Sequence, residues 1–107
     1  MKSAKRERAL KRLYVDFTDW LVLKFDEWDP QQLVIGSNPG REYEPEVQRV
    51  VPLLQETKSI EQLTERIHSI FVQMFNADSA GPMEVYAPFA RGIFLEWAKR
   101  SSALPSD

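Results

Sequence analysis

Residues 25–43 read FDEWDPQQLVIGSNPGREY, and this stretch divides a long predicted helix from the rest of the chain. Its Trp28-Asp29-Pro30 sequence should end that helix, because the residue before a proline is disfavoured in the α conformation. Gly36, Asn38-Pro39 and Gly40 are turn formers. The sequence therefore predicts a long ordered loop that fixes how the first two helices meet.

The stretch before this loop has the periodicity of a single helix, from about Ala4 to Trp28. Its apolar residues recur at three- and four-residue steps, at Leu10, Leu13, Tyr14, Phe17, Leu21, Phe25 and Trp28. Further apolar residues widen this stripe to more than half of the circumference. Such a helix is predicted to lie centrally, with neighbours on several sides.

A second helix is predicted to begin near Glu44 or Pro45, since proline suits the first helical turn. Its apolar stripe contains Val47, Val50, Val51 and Leu54. Pro52 falls inside that pattern and removes a helical hydrogen bond. The helix should therefore kink at this proline or end early, and in either case not extend beyond about Gln55.

Two more helices complete the prediction. Ser59 and Gln62 have the spacing of an N-terminal capping box, so the third helix should begin at Ser59. Residues 76–81 are short and polar and predict a turn. The last helix is predicted over residues 82–100, or from just after Pro88 with an irregular lead-in.

These patterns predict an all-α fold, with four main helices around one core and a long ordered loop between helices 1 and 2. The 107 residues suffice for one domain with a core of its own. The basic leader 1–9 and the tail 101–107 are predicted to be loose. Val72, Phe75 and Val85 fall off the main stripes, which leaves both a monomer and a homodimer open.

The composition bears on location and on the chemistry that is open to the chain. There is no cysteine, which excludes disulfides, thiol catalysis and thiolate metal sites. No apolar run is long enough to span a bilayer. The basic N-terminus is not followed by the apolar core of a signal peptide, so we expect a cytoplasmic protein.

Charge is unevenly distributed along the chain. Residues 1–12 carry a net charge of +5, and residues 13–107 carry −7. The basic leader and the turn that follows it contain Lys2, Lys5, Arg6, Arg8, Lys11 and Arg12. This stretch is either a solvated helix start or a contact for nucleic acid or an anionic surface. Repulsion from the acidic body is expected to oppose extended nucleic-acid binding.

A dense group of carboxylates lies around the predicted end of the first helix. With the neighbouring tryptophan it forms a candidate partner-binding set of Asp26, Glu27, Trp28, Asp29, Glu42 and Glu44. Such a surface suits a basic protein, and tryptophan is favoured at binding hot spots. Two alternatives stay open: Asp29 closes the turn by local hydrogen bonds, or the carboxylates bind Mg²⁺ or Ca²⁺, although the spacing of an EF-hand is missing.

Catalytic and cofactor patterns are weak. His68 is the only histidine, and no nucleophile signature accompanies it. The glycines of the loop lack the lysine and hydroxyl pair of a phosphate-binding loop. We therefore predict no catalytic residue, no metal ligand and no cofactor.

Several short motifs resemble a bacterial family, the small helical YugE-like domains of unknown function. They are Trp28-Asp29-Pro30, Ile35-Gly36, Tyr43, Glu46-Val47 and Val50-Val51. The resemblance covers about residues 14–100 and implies a compact α fold without a known reaction. The loop of this chain is longer than the family pattern, around residues 31–32 and 37–41.

The leading functional hypothesis is a non-enzymatic, acidic protein-binding domain. A regulator or an immunity-type inhibitor of a basic protein would have this character, by analogy. The alternatives are nucleic-acid or anionic-surface contact through the basic leader, and a cation-dependent enzyme that uses the loop carboxylates.

Overall fold

The computed structural model describes residues 4–33 and 41–105, and within them the chain is helical without any strand. Its α-helices are α1 Ala4–Trp28, α2 Glu44–Val50, α3 Ile60–Met74, α4 Ala77–Ala80 and α5 Ala87–Ser101. Two 3-10 helices, Val51–Glu56 and Met83–Tyr86, precede α3 and α5. Four of the α-helices have seven or more residues, which confirms the predicted all-α fold with four main helices.

The two interior prolines decide where helix geometry changes. α2 ends at Val50, and Pro52 lies in the first turn of the 3-10 helix that continues it to Glu56. Pro88 lies in the first turn of α5, where its missing N–H leaves no helical bond unmade. α5 begins at Ala87, so the helix does not start at residue 82 but two residues before the alternative start just after Pro88.

Local side-chain caps set the ends of α3 and α4. Ser59 Oγ accepts from the Gln62 N–H at 3.0 Å, which confirms the predicted N-cap. Asn76 Oδ1 accepts from the Ser79 N–H at 2.8 Å and so begins one further helical turn. The sequence predicted only a polar turn at 76–81, because a four-residue helix has no periodicity to recognise.

The core lies between α1, α2, α3 and α5. At its centre Phe25 of α1 stacks on Phe71 of α3, with 5.7 Å between the ring centres. Trp97 of α5 meets Phe17 of α1 edge to face at 5.2 Å. The predicted stripes of α1 and α2 supply Leu21, Val47 and Val50 to the core, and α3 and α5 add Leu63, Ile67 and Ile93.

The basic leader and the C-terminal tail contact each other. The first fully buried residue of α1 is Phe17, and Leu13 and Tyr14 before it are partly buried against the core. Arg6 Nη1 donates to the carbonyl oxygen of Pro105 at 2.8 Å. This bond joins the described parts of the leader and the tail, and the looseness of the two segments stays a prediction.

Candidate functional site

Asp29 and Tyr43 close the loop that joins α1 to α2. Tyr43 is fully buried, and its hydroxyl donates to Asp29 Oδ1 at 2.6 Å and accepts from the Gln31 N–H at 2.8 Å. The same Asp29 oxygen accepts from the Leu33 N–H at 2.7 Å. Burial, and then the bond to Asp29, raise the pKa of Tyr43 well above its usual range. Asp29 therefore acts inside the loop, as the hydrogen-bonding alternative supposed.

Asp26 is also used internally. It is only 5% exposed, and its two carboxylate oxygens accept from the N–H groups of Arg41 and Glu42, each at 3.2 Å. These N–H groups lie just before α2 and have no helical acceptor. Asp26 thus ties the end of α1 to the start of α2 and presents almost no surface to a partner, contrary to its place in the predicted binding set.

The other three carboxylates of that set lie at the surface. Glu27 is exposed and forms an ion pair with Lys24 at 3.4 Å. Glu44 pairs with Arg41 at 2.9 Å, and this guanidinium lowers the pKa of the carboxyl. Glu42 is exposed as well. Exposed pairs of this kind contribute little free energy, but they offset part of the negative charge that a basic partner would meet.

Trp28 borders an open groove, and it is the member of the predicted set with the clearest surface role. Its ring stacks on Phe89 at 4.1 Å and meets Tyr86 edge to face at 5.2 Å, so it is held in one position. With Pro30 it forms one wall of a groove of about 340 Å³. Residues 79–82 form the opposite wall, and we call this the Trp28 groove.

Hydrogen bonds hold that opposite wall in place. Gln31 Nε2 donates to the Ser79 carbonyl at 2.9 Å, which links the loop to α4. The Tyr86 hydroxyl is buried and donates to the Ala80 carbonyl at 2.5 Å. The first bond joins the loop to α4, and the second joins the 3-10 helix Met83–Tyr86 to α4. Both walls of the groove are therefore held in place.

His68 contributes to the same arrangement. Its Nε2 lies 2.9 Å from the carbonyl oxygen of Gly81, which can only accept, so this nitrogen carries the proton. Gly81 has a φ of 76°, a left-handed conformation that glycine adopts without strain. The histidine thereby fixes the chain reversal that leads into the 3-10 helix Met83–Tyr86.

That 3-10 helix forms a ridge with two large apolar side chains directed to the surface. Met83 is 41% exposed and Val85 is 53% exposed. Val85 borders the Trp28 groove, whereas Met83 borders a second groove on the other side. We call residues 83–86 the ridge.

The second groove is rimmed by acidic residues. It has a volume of about 520 Å³ and lies between the start of α3 and the ridge. Ile60, Thr64 and Ala87 line it together with Met83, and three carboxylates stand at its edge, those of Glu61, Glu65 and Glu84. All three are exposed, and among the described residues none of them forms an ion pair. We call it the acidic groove.

The sequence did not identify the ridge or the acidic groove. Met83 lies within the range 82–100 that was predicted as the last helix, but it belongs to a 3-10 helix that turns its side chain outward. Glu61, Glu65 and Glu84 are too far apart in the chain to stand out as a cluster. The available signal was Pro82 and Pro88, which bracket a segment too short for a regular α-helix.

Glu46 is a further buried carboxylate that lies in the first turn of α2. It is 4% exposed, and its Oε1 has no hydrogen-bond partner among the described residues. Burial raises the pKa of this carboxyl. The position costs stability and contacts neither groove.

The described part of the chain holds no group of three or more His, Cys, Asp or Glu side chains arranged for a metal ion. The oxygens of Asp26 and Asp29, which the cation alternative required, accept from N–H and O–H donors instead. None of the described helices combines the length and the apolar character that crossing a membrane requires.

Comparison with protein-family models, with curated proteins and with solved structures finds no match to this chain. The resemblance to the YugE-like domains stays a prediction. The ridge and its two grooves are the surface features that bear on function.

Proposed function

We propose that this chain is a non-enzymatic protein-binding domain and that its partner is a basic protein, bound across the ridge and the acidic groove. One observation carries the proposal: two exposed apolar side chains stand beside three carboxylates that lack ion-pair partners in the described structure. Apolar anchors with a charged rim are the usual composition of a binding surface.

The ridge supplies the apolar part of the contact. Met83 and Val85 project from a short helix whose base is fixed by the buried Tyr86 and by the bond from His68 to Gly81. A rigid base lowers the entropy that binding has to remove. The flexible methionine side chain can adapt its shape to a partner.

The acidic groove supplies the electrostatic part. Glu61 and Glu65 lie one turn apart on α3, and Glu84 faces them from the ridge. Lysine or arginine side chains of a partner would be attracted to this rim. Steering of this kind raises the association rate, and the effect decreases as salt is added.

The predicted set at the loop contributes through Trp28. This ring forms a wall of the Trp28 groove next to Val85, so it extends the apolar surface on the side away from the carboxylates. A regulator or an immunity-type inhibitor of a basic protein is the role that such a surface supports. The assignment to a regulator is by analogy and rests on the chemistry of the surface alone.

Site-specific crosslinking in cell extract tests the proposal. A photoreactive residue is placed at Val85 in one variant and at Leu95 in another. The two positions are matched, because Leu95 on α5 is 51% exposed and Val85 is 53% exposed. We expect a basic protein to crosslink from position 85 and not from position 95.

The identified partner is then titrated with purified variants. Met83→Ser should weaken binding about 30-fold, as expected for a hot-spot side chain, whereas Leu95→Ser should leave the affinity unchanged. Replacing Glu61, Glu65 and Glu84 with Gln should lower the association rate about tenfold at low salt. Equal crosslinking from both positions, or a partner that is acidic, would contradict the proposal.

A further inference from the structure

A third groove lies at the opposite end of α5, and its charge is positive. Lys5, Arg8, Ala9 and Arg12 of α1 form one side, and residues 103 and 105 form the other. Its volume is about 330 Å³. We call it the basic groove, and it shares no residue with the ridge or the acidic groove.

The helical repeat brings the three cations together. At about 100° per residue, Lys5, Arg8 and Arg12 fall within about 60° of one another around α1. Glu7, the acidic residue of this segment, points away from them on the far side of the helix. All three cations are exposed, and in the described structure none of them pairs with a carboxylate.

The other wall of the groove is folded chain. After α5 ends, the Ala103 N–H donates to the Arg100 carbonyl and the Leu104 N–H donates to the Ser101 carbonyl. The bond from Arg6 to the Pro105 carbonyl then fastens this turn to α1. The cations therefore face a defined groove and not open solvent on every side.

We infer that the basic groove binds the phosphodiester backbone of nucleic acid. Guanidinium groups present forked N–H donors that match phosphate oxygens, and lysine adds a further point charge. The groove is lined by no aromatic ring on which a base could stack and by no amide side chain that could read adenine, and its three cations match phosphate oxygens. The contact is thus to phosphates and is independent of sequence.

The acidic groove lies too far from the basic groove to repel a polyanion that is bound there. The acidic groove adjoins the start of α5 at Ala87, and the basic groove adjoins the turn after its end at Ser101. A helix of 15 residues spans roughly 22 Å. The screening length at physiological salt is about 8 Å, so the charges at one end have little effect at the other.

The nearest carboxylate on the same face of α1 is Asp16, one turn beyond Arg12. It marks the boundary of the cationic surface and limits the contact to a few phosphates. We expect weak binding that decreases as salt is added. The steepness of that decrease gives the number of phosphates that the groove contacts.

The experiment is fluorescence anisotropy of a labelled 20-base-pair DNA duplex titrated with the full chain at a series of KCl concentrations. With about three phosphate contacts, the slope of log K against log salt should be about −3. Replacing Lys5, Arg8 and Arg12 together with Gln should reduce the affinity at low salt at least tenfold.

A second triple variant provides the matched control. Arg49, Lys58 and Arg91 are exposed cations that do not line the basic groove, and replacing them with Gln changes the net charge by the same amount. This control should keep the affinity of the unmodified chain within about twofold. Circular dichroism of both variants verifies that helicity is unchanged.

Three outcomes would overturn the inference. They are the absence of duplex binding by the intact chain at 50 mM KCl, an equal loss in the two triple variants, and binding to vesicles of anionic phospholipid without binding to the duplex. A slope near −3 that disappears only with the substitutions in the basic groove supports it.

Discussion

Two parts of this molecule use carboxylates in opposite ways. At the loop between α1 and α2, Asp26 and Asp29 accept hydrogen bonds from the chain itself. At the acidic groove, Glu61, Glu65 and Glu84 are exposed and form no ion pair in the described structure. The first group is close together in the sequence, and the second is assembled from two elements.

The difference shows that density of charge in a sequence does not identify a binding surface. Adjacent carboxylates at a helix end lie next to N–H groups that have no helical acceptor, so they are readily drawn into the fold. Carboxylates on separate helices, with no such donors within reach, stay available to a partner.

Asp26→Ala is expected to have the largest effect, and it tests whether the hydrogen bonds that Asp26 accepts stabilise the fold. The substitution leaves the N–H groups of Arg41 and Glu42 without their acceptor and should lower the free energy of unfolding by about 3 kcal/mol. Glu27→Ala is the matched control, because the adjacent carboxylate is exposed; it should change stability by no more than about 0.5 kcal/mol. Urea denaturation followed by circular dichroism measures both, and similar losses in the two variants would contradict the internal role of Asp26.

Glu46→Gln should raise the free energy of unfolding, which is the opposite of the effect expected for Asp26→Ala. The carboxylate is buried with one oxygen unpaired, and a neutral amide costs less to bury than a charge. Glutamine keeps one oxygen that can accept a hydrogen bond. We expect stabilisation by about 1 kcal/mol at pH 7, measured by urea denaturation.

The pH dependence of that gain follows from the raised pKa of Glu46. Below the ordinary glutamate pKa, the carboxyl is protonated in the folded and unfolded states, and the two proteins should be equally stable. As pH rises through the ordinary value and then the raised value, the folded state of the unmodified chain is increasingly penalised. The gain from Glu46→Gln should therefore grow from acid to neutral pH, and a gain that is constant across this range would contradict the assignment.

Replacing Glu61, Glu65 and Glu84 with Gln should affect stability least. Their side chains are exposed and hold no part of the fold in place, so the free energy of unfolding should stay within about 0.5 kcal/mol. Thermal denaturation with and without these substitutions measures this. A loss comparable to that of Asp26→Ala would mean that the acidic groove is structural and not a binding surface.

Much of the fold could be predicted because its signals are local. The stripe of α1, the Ser59 cap and the effect of Pro52 each depend on residues within a few positions of one another. The outward turn of Met83 could not be predicted, because it depends on Gly81, His68 and Tyr86, which meet only in the folded chain. The predictions for Ile35 and for the turn formers Gly36, Asn38-Pro39 and Gly40 concern residues outside the described ones.

The candidate site was predictable only in part. Trp28 was identified from its place at a helix end, and it does border a groove. Asp26 was assigned to a surface and is buried, because a sequence does not reveal which N–H groups will approach a carboxylate. For Asp29, the alternative of local hydrogen bonds had been left open, and it is the one that the loop adopts.

The sequence by itself determined that this protein is helical, where α1 ends and α3 begins, and which stripes fill the core, because helix periodicity and capping act over a few residues. The tertiary structure alone decided which charges are exposed. Packing brings α3 beside the 83–86 ridge and the C-terminal turn beside α1, and only these long-range contacts separate an acidic groove from a basic one.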